Sequence, residues 1–152
     1  MSTCCFTGHR KISAAEQKRL LPALANEIEN LYQQGVTVFR NGGALGFDLL
    51  SAMCVMGLKK KHPEVRLIMD VPHEGQESLW SEKEKNVYQY IVKCADEVNV
   101  LSDRYRRGCM HHRNRYMVDR SDFVIAYVRH TSGGSYYTAS YAENQEKKVI
   151  YI

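Results

Sequence analysis

Residues 36–48 read VTVFRNGGALGFD, an apolar, β-branched run followed by three glycines and the start of a second apolar segment. The run at residues 36–40 is typical of a buried strand. Residues 45–60 are apolar on nearly every side, as expected of a helix packed between a sheet and its neighbours. A strand that passes through a glycine-rich turn into a helix is the repeating unit of parallel sheets. This stretch therefore predicts an α/β fold.

The same alternation extends over the whole chain. Ser13 and Glu16 have the S-x-x-E spacing of a capping box, which predicts the start of the first helix. Right-handed crossovers place helices on both faces of a mainly parallel sheet. We therefore predict a single domain over residues 1–152, a Rossmann-like three-layer αβα sandwich with a mainly parallel six-stranded sheet. The predicted strands lie at residues 3–7, 36–40, 65–71, 97–102, 123–128 and 149–152.

The composition favours a cytoplasmic protein with an anionic ligand. The chain has 152 residues, of which 44% are hydrophobic, and this is the usual size of one domain. Its formal net charge of +4 suits an anionic ligand without requiring DNA. No signal-peptide pattern and no bilayer-spanning apolar stretch is present. The odd set of five cysteines favours reduced thiols, so we expect a cytoplasmic protein that makes no membrane contact.

Ligands of open α/β sheets bind outside the carboxyl ends of the strands, so the loops after the strands are the first candidates for a site. After the first strand, Gly8 lets the backbone turn close to a ligand, and Arg10 offers a fork of donors suited to phosphate or carboxylate. An ordinary tight turn with a solvated arginine explains these residues equally well. The ligand-binding candidates in this loop are Thr7, Gly8, His9 and Arg10.

The loop after the second strand carries three glycines that would let bare N–H groups and a helix N-terminus face an anion. Its pattern is neither the dinucleotide-binding fingerprint nor a P-loop. Asp48, in the first helical turn, either complements the helix dipole or contacts a ribose hydroxyl, and the two roles are equally well supported. The candidates in this loop are Asn41, Gly42, Gly43, Ala44, Gly46 and Asp48.

A second small-residue loop, at residues 129–135, precedes the last helix on the same edge of the sheet. Two such loops on one edge are better explained by a common site than by two unrelated turns. Arg113 and Asn114 begin a helix near this edge and are included for that reason. The candidates added here are Ser132, Gly133, Gly134, Thr138, Arg113 and Asn114.

Residues 103–120 are rich in arginine, with Tyr105 and Tyr116 interleaved. Cations and aromatic rings together can hold phosphates and stack a base, and they could also follow single-stranded nucleic acid. A solvated face is favoured for most of these arginines, so we consider nucleic acid a weaker candidate partner than a small molecule. Neighbouring His111 and His112 project in different directions on a helix, and we expect no metal site.

Three segments together carry a family resemblance, namely CFTGHR at residues 5–10, GGALGFD at residues 42–48 and NRYMVD at residues 114–119. They resemble the YpsA-like branch of the SLOG superfamily, which also contains the DNA-processing protein DprA and the LOG cytokinin-activating hydrolases. The similarity extends over essentially the whole chain. It implies a Rossmann-like fold, a homo-oligomer (a dimer or higher), and a pocket for nucleotides or their derivatives, with no required cofactor.

The resemblance also bears on catalysis. LOG hydrolases have a P-G-G-x-G-T-x-x-E loop, whereas residues 132–140 here read SGGSYYTAS, so Ser140 stands at the glutamate position. Glu143, nearly one helical turn further on, and Glu74 are the alternative carboxylates. Arg113 is the matching candidate for a phosphate or transition-state anchor.

Three functions therefore compete. The favoured one is the binding or sensing of a nucleotide-like, phosphate-bearing small molecule, such as an ADP-ribose or NAD derivative. The second is a phosphoribohydrolase that cleaves nucleoside 5′-monophosphates, as the LOG enzymes do. The third is a single-stranded DNA-binding protein resembling DprA, which comes last because the net charge is only +4.

Overall fold

Strands and helices alternate strictly along residues 2–152, the part of the chain that the computed structural model describes. The six strands form one parallel sheet in the order β4-β3-β2-β1-β5-β6. Helices α1, α2 and α3 pack on one face of the sheet, and α4 and α5 pack together on the other. The elements are β1 (Ser2–Gly8), α1 (Ala14–Gln33), β2 (Val36–Asn41), α2 (Phe47–Lys61), β3 (Arg66–Val71), α3 (Glu82–Cys94), β4 (Glu97–Val100), α4 (Cys109–Asp119), β5 (Phe123–Tyr127), α5 (Gly134–Asn144) and β6 (Lys148–Tyr151).

The predicted three-layer Rossmann-like fold is confirmed, and the sheet is wholly rather than mainly parallel. The capping box predicted for α1 is only half formed. The Ser13 hydroxyl accepts a hydrogen bond from the Glu16 amide at 3.1 Å. The Glu16 carboxylate does not return to the Ser13 backbone, because it accepts hydrogen bonds from Arg19 and Tyr127 instead. A complete capping box caps α3, between Ser81 and Glu84.

The alternation of strand residues divides the core into two parts. Phe6 lies in the larger core, between the sheet and α1 to α3, with its ring centroid 6.2 Å from that of Phe39 and 6.4 Å from that of Phe47. Neighbouring strand residues point to opposite faces. Cys4 therefore belongs to the larger core, and Cys5 to a smaller cluster under α4 and α5. The five cysteines are all free.

The order of the strands determines where a site can form. Strands β2, β3 and β4 lie in succession on one side of β1, and strands β5 and β6 lie on its other side. The loops that leave β1 and β5 therefore diverge to opposite faces and open a crevice at their carboxyl ends. In residues 2–152, no helix has the length and apolar character needed to cross a membrane.

Candidate functional site

A cleft of about 230 Å³ lies at this point of reversal, next to the carboxyl ends of β1 and β2. Four segments form its walls: the end of β1 with its loop, the loop into α2, the first turns of α4, and the start of α5. Separate loops of the predicted set thus meet in one place. The predicted residues that line the cleft are Thr7, Gly8, His9, Arg10, Ala44, Asp48, Arg113, Asn114 and Gly134, and they are joined by Phe6, Met110 and Ser135.

His9 connects the loops that leave β1 and β5. Its Nε2 accepts a hydrogen bond from the Arg129 amide at 2.7 Å, and its Nδ1 lies 3.2 Å from the hydroxyl oxygen of Ser135. Because Nε2 is an acceptor, Nδ1 carries the proton in the neutral ring and donates to Ser135. The hydrogen of the Ser135 hydroxyl is then free to point elsewhere. Burial, followed by the charges of His130 and Arg129, lowers the pKa of His9 and favours this neutral form.

Arg113 is the most deeply placed cation of the cleft, with only 3% of its surface exposed. Its Nη1 donates to the carbonyl of Gly42 at 2.6 Å and to that of Asp70 at 3.2 Å. Its Nε donates to the side chain of Asn114 at 2.9 Å. These bonds hold the guanidinium against the β2–α2 loop, although burial lowers the pKa of Arg113.

Asp48 is the carboxylate nearest to that guanidinium on the floor of the cleft. It is buried, and its Oδ2 accepts a hydrogen bond from the Ala44 amide at 3.2 Å. Burial raises the pKa of Asp48, and the charge of Arg113 acts in the opposite direction. A Cβ on Gly42 would stand 2.4 Å from Arg113 Nη1 and 2.9 Å from Asp48 Oδ2, so the two charged groups flank this glycine.

The glycine-rich loop after β2 forms the frame behind the cleft. The Gly43 amide donates to the side chain of Asn41 at 2.8 Å, and the Phe47 amide at the start of α2 donates to the His9 carbonyl at 3.1 Å. Asn41 is fully buried, and its amide nitrogen donates to the Asp48 carbonyl and the Ser51 hydroxyl. These amides are engaged within the protein, and Asn41, Gly42 and Gly43 do not line the cleft.

Gly46 is a position at which this loop between β2 and α2 requires a glycine. Its φ is +77°, and an added Cβ would lie 2.3 Å from the carbonyl oxygen of Arg10. The loop after β1 therefore packs directly on the backbone at the start of α2. This close approach brings His9 and Arg10 to the same cleft as Asp48.

The N-terminus of α5 faces the cleft without a side-chain cap among the described residues. The first amides of a helix have no partner within the helix, and they carry the positive end of its dipole. Gly134 and Ser135 line the cleft at this end. Ser132 and Gly133 are exposed outside it, and the Thr138 hydroxyl donates back to the Gly134 carbonyl at 2.8 Å.

Arg10 is exposed and lines the same cleft as this helix end. Its guanidinium lies 4.0 Å from the sulfur of Met110 and forms no ion pair within residues 2–152. Arg106, by contrast, pairs with Asp103. The charge of Arg10 reaches the buried carboxyl group of Asp48, where it acts against the rise in pKa that burial causes, but the guanidinium keeps its donors free of any carboxylate of the described residues.

The carboxylates predicted for hydrolysis lie elsewhere. Glu143 is exposed and accepts a hydrogen bond from the Tyr151 hydroxyl on β6, and Glu74 is exposed beside Ser102. Neither lines the cleft, whose own carboxylate is Asp48.

Sequence reasoning missed three residues that line the cleft. Ser135 is the last residue of the predicted loop at residues 129–135, but it was not among the candidates named there. Met110 and Phe6 carry no chemical signal in the sequence, because only the packing of α4 and β1 brings them to the cleft.

Comparison with known proteins is consistent with this architecture. The profile of the YspA SLOG family matches residues 5–152. The chain belongs to the YspA SLOG family. The family match thus covers all four segments that form the cleft.

The relatives of this SLOG-family chain include two bacterial proteins. The SPbeta prophage-derived protein YoqJ of Bacillus subtilis is 34% identical over 127 residues, which cover 76% of this chain and 71% of that protein. A UPF0398 protein of Halalkalibacterium halodurans is 31% identical over 132 residues, which cover 85% of this chain and 70% of that protein.

Two solved structures share the fold. DNA processing protein A (DprA) from Streptococcus pneumoniae superposes with a TM-score of 0.64 at 20% identity, and DprA from Helicobacter pylori with a TM-score of 0.64 at 24% identity. Each superposition covers 99% of this chain, which spans 50% of the first protein and 64% of the second. At these identities the likeness shows a common fold.

Proposed function

We propose that the cleft binds or senses a small, nucleotide-like molecule that carries a phosphate group, such as an ADP-ribose or NAD derivative. The observation that carries this proposal is the meeting of unused hydrogen-bond donors in one cleft. They are the Arg10 guanidinium, the Ser135 hydroxyl and the first amides of α5. Donors of this kind at a helix N-terminus form a ready anion site.

The position of these donors supports a nucleotide rather than an arbitrary anion. They surround the point where the strand order reverses, which is where doubly wound α/β folds bind nucleotides. The Arg10 guanidinium also has the planar fork that matches two phosphate oxygens. A phosphate placed between Arg10 and α5 would complete hydrogen bonds that the protein itself leaves open.

Thermal unfolding in the presence of AMP, ADP-ribose or NAD tests the proposal. A ligand at a hundred times its Kd adds about 2.7 kcal/mol of stability. For a chain of this size this corresponds to a rise in Tm of about 5–11 °C. If none of the three nucleotides raises Tm or gives a heat of binding by calorimetry, the proposal is wrong.

The variant Arg10→Ala separates binding in the cleft from nonspecific attraction. Loss of charge-assisted hydrogen bonds should weaken nucleotide binding by roughly 10- to 100-fold. Lys93→Ala removes the same charge from an exposed site in the last turn of α3, at the opposite edge of the sheet, and should leave binding unchanged. Equal losses in the two variants would show that net charge, not the cleft, attracts the nucleotide.

A second candidate function is the binding of single-stranded DNA. DprA from H. pylori, which shares the fold, has a single-stranded DNA binding mode. In the present chain Tyr105 is 64% exposed, and it neighbours a groove of about 450 Å³ lined by Arg106 and Arg107. An exposed aromatic ring among cations suits base stacking along a single strand.

Fluorescence anisotropy of a labelled oligothymidine distinguishes this second function. Its affinity should fall steeply between 50 and 200 mM salt, by a slope of roughly 0.7 per neutralised phosphate in a log–log plot. Tyr105→Ala should weaken oligonucleotide binding while leaving the binding of AMP unchanged. An oligonucleotide affinity that does not depend on Tyr105 would remove this candidate.

A further inference from the structure

The floor of the cleft carries two buried polar groups that each retain an unused atom. Asp48 is 7% exposed and Arg113 is 3% exposed. Asp48 uses Oδ2 to accept the Ala44 amide, and its Oδ1 accepts nothing from the described residues. Arg113 uses Nε and Nη1, and its Nη2 donates to none of them.

These unused atoms border the cleft and are not sealed in the protein. Both side chains line the cleft. In residues 2–152, Arg40 Nε is the side-chain atom that has neither a hydrogen-bond partner nor contact with solvent. Asp48 Oδ1 and Arg113 Nη2 also have no partner there, so solvent must reach both of them. Burying a polar group without a partner is costly. The floor therefore favours a ligand that satisfies both atoms at once.

The pair presents an acceptor beside a donor. Oδ2 of Asp48 and Nη1 of Arg113 lie 2.9 and 2.4 Å from the place of an absent Gly42 Cβ, so the carboxylate and the guanidinium that carry the unused Oδ1 and Nη2 are neighbours. A phosphate in contact with the Asp48 carboxylate is disfavoured, because like charges in a poorly solvated site repel. A vicinal diol fits, since one hydroxyl can donate to Asp48 while the other accepts from Arg113.

The size of the cleft indicates which part of the ligand it encloses. Its volume of about 230 Å³ falls below the range of roughly 300–1,000 Å³ for pockets that enclose whole drug-sized ligands. The cleft therefore suits a sugar phosphate, with the base outside it. The anion-binding end, at Arg10 and α5, and the floor, at Asp48, would then bind the two parts of one ribose phosphate.

We infer that Asp48 is a specificity-determining residue that accepts a hydrogen bond from the ribose diol, so the ligand is a ribonucleotide and not a deoxyribonucleotide. This inference rests on the proposed function and adds the sugar to it. A site built to bind a hydroxyl discriminates strongly against an analogue that lacks it, because the buried partner is left without a hydrogen bond.

Calorimetric titration with AMP, 2′-deoxy-AMP and 3′-deoxy-AMP tests the inference. The wild-type protein should bind AMP roughly 10- to 100-fold more tightly than 2′-deoxy-AMP, and 3′-deoxy-AMP reports whether the other hydroxyl of the diol contributes. Asp48→Asn keeps the shape and an acceptor for the Ala44 amide, but it replaces the other oxygen with a donor. In this variant AMP and the deoxy analogues should bind within about threefold of each other, and their affinity should match the deoxy affinity of the wild type.

Asp122→Asn is the matched control. The Asp122 carboxylate likewise accepts a backbone amide, from Thr3 at 3.0 Å, but it is exposed and lies before β5, away from the cleft. This variant should retain the full preference for AMP. A preference lost equally in Asp122→Asn would indicate a general effect of the substitution and would overturn the role of Asp48.

The outcomes separate this inference from the proposed function. Equal binding of AMP and 2′-deoxy-AMP by the wild type overturns this inference but leaves the proposed function standing. Inosine monophosphate, which lacks the amino group of AMP, tests the base instead. If inosine monophosphate binds more weakly than AMP while the deoxy analogues do not, Asp48 contacts the base and the ribose contact is overturned. If no nucleotide binds at all, the proposed function fails and this inference fails with it.

Discussion

Replacing Gly42 with alanine tests the contact on which the floor of the cleft depends. The new Cβ would stand 2.4 Å from Nη1 of Arg113, well inside van der Waals contact, so the guanidinium must move. The end of an arginine is usually free to move, but this one is buried and bonded to the carbonyls of Gly42 and Asp70. Hydrogen bonds from a charged group contribute about 1.5–3 kcal/mol each, so we expect a loss of about 3 kcal/mol.

Gly57→Ala is the control for this substitution. An added Cβ at Gly57, within α2, meets no atom within 4 Å. Alanine in a helix should stabilise the protein by about 0.5–1 kcal/mol. Thermal unfolding should therefore lower Tm by about 6–12 °C for Gly42→Ala and raise it slightly for Gly57→Ala. If Gly42→Ala melts within about 1–2 °C of the wild type, on the same scale, Arg113 does not hold the floor as described.

Two further predictions concern charged groups away from this glycine. The lowered pKa of His9 favours its neutral form in the folded protein. Its contribution to stability should be complete above the unfolded pKa of about 6.5 and should be lost as the pH falls through the lower folded pKa. Lowering the pH from about 7.5 to about 5, across that unfolded pKa, should therefore destabilise the wild type more than His9→Gln. Urea unfolding measures the stability of both proteins, and parallel pH profiles would contradict this assignment. Asp70 is fully buried and pairs with Arg40 at 3.0 Å. Asp70→Ala should cost about 3 kcal/mol, because it leaves the largely buried Arg40 unpaired. Asp103→Ala, in an exposed pair, should cost at most about 1 kcal/mol, and equal costs would refute the distinction.

Much of the fold was predictable because its signals are local. A β-branched run, a glycine turn and an apolar helix are each recognisable within about ten residues, and their alternation indicates a parallel sheet. The same rule located the site, because loops that follow parallel strands emerge on one edge. For this reason Gly8, Arg10 and Gly134 were assigned to a common edge, and they line one cleft.

The prediction was weaker where one group had several potential partners. Glu16 has the right spacing to complete the cap of α1, but in the fold its carboxylate binds Arg19 and Tyr127, the latter 111 residues away. The glycines after β2 were expected to present open anion-binding amides. The side chain of Asn41 occupies the Gly43 amide instead, and no sequence rule compares these competing acceptors.

The order of residues along the chain was thus sufficient to determine the α/β class, the succession of elements and the loops of interest, since each depends on neighbours in sequence. Tertiary structure alone decided which groups remain free in the cleft. Arg113 reaches the Gly42 carbonyl across 71 residues, and His9 reaches the Arg129 amide across 120. The physical reason is that a donor or acceptor is available to a ligand only after all its protein partners are known, and those partners are assembled by folding.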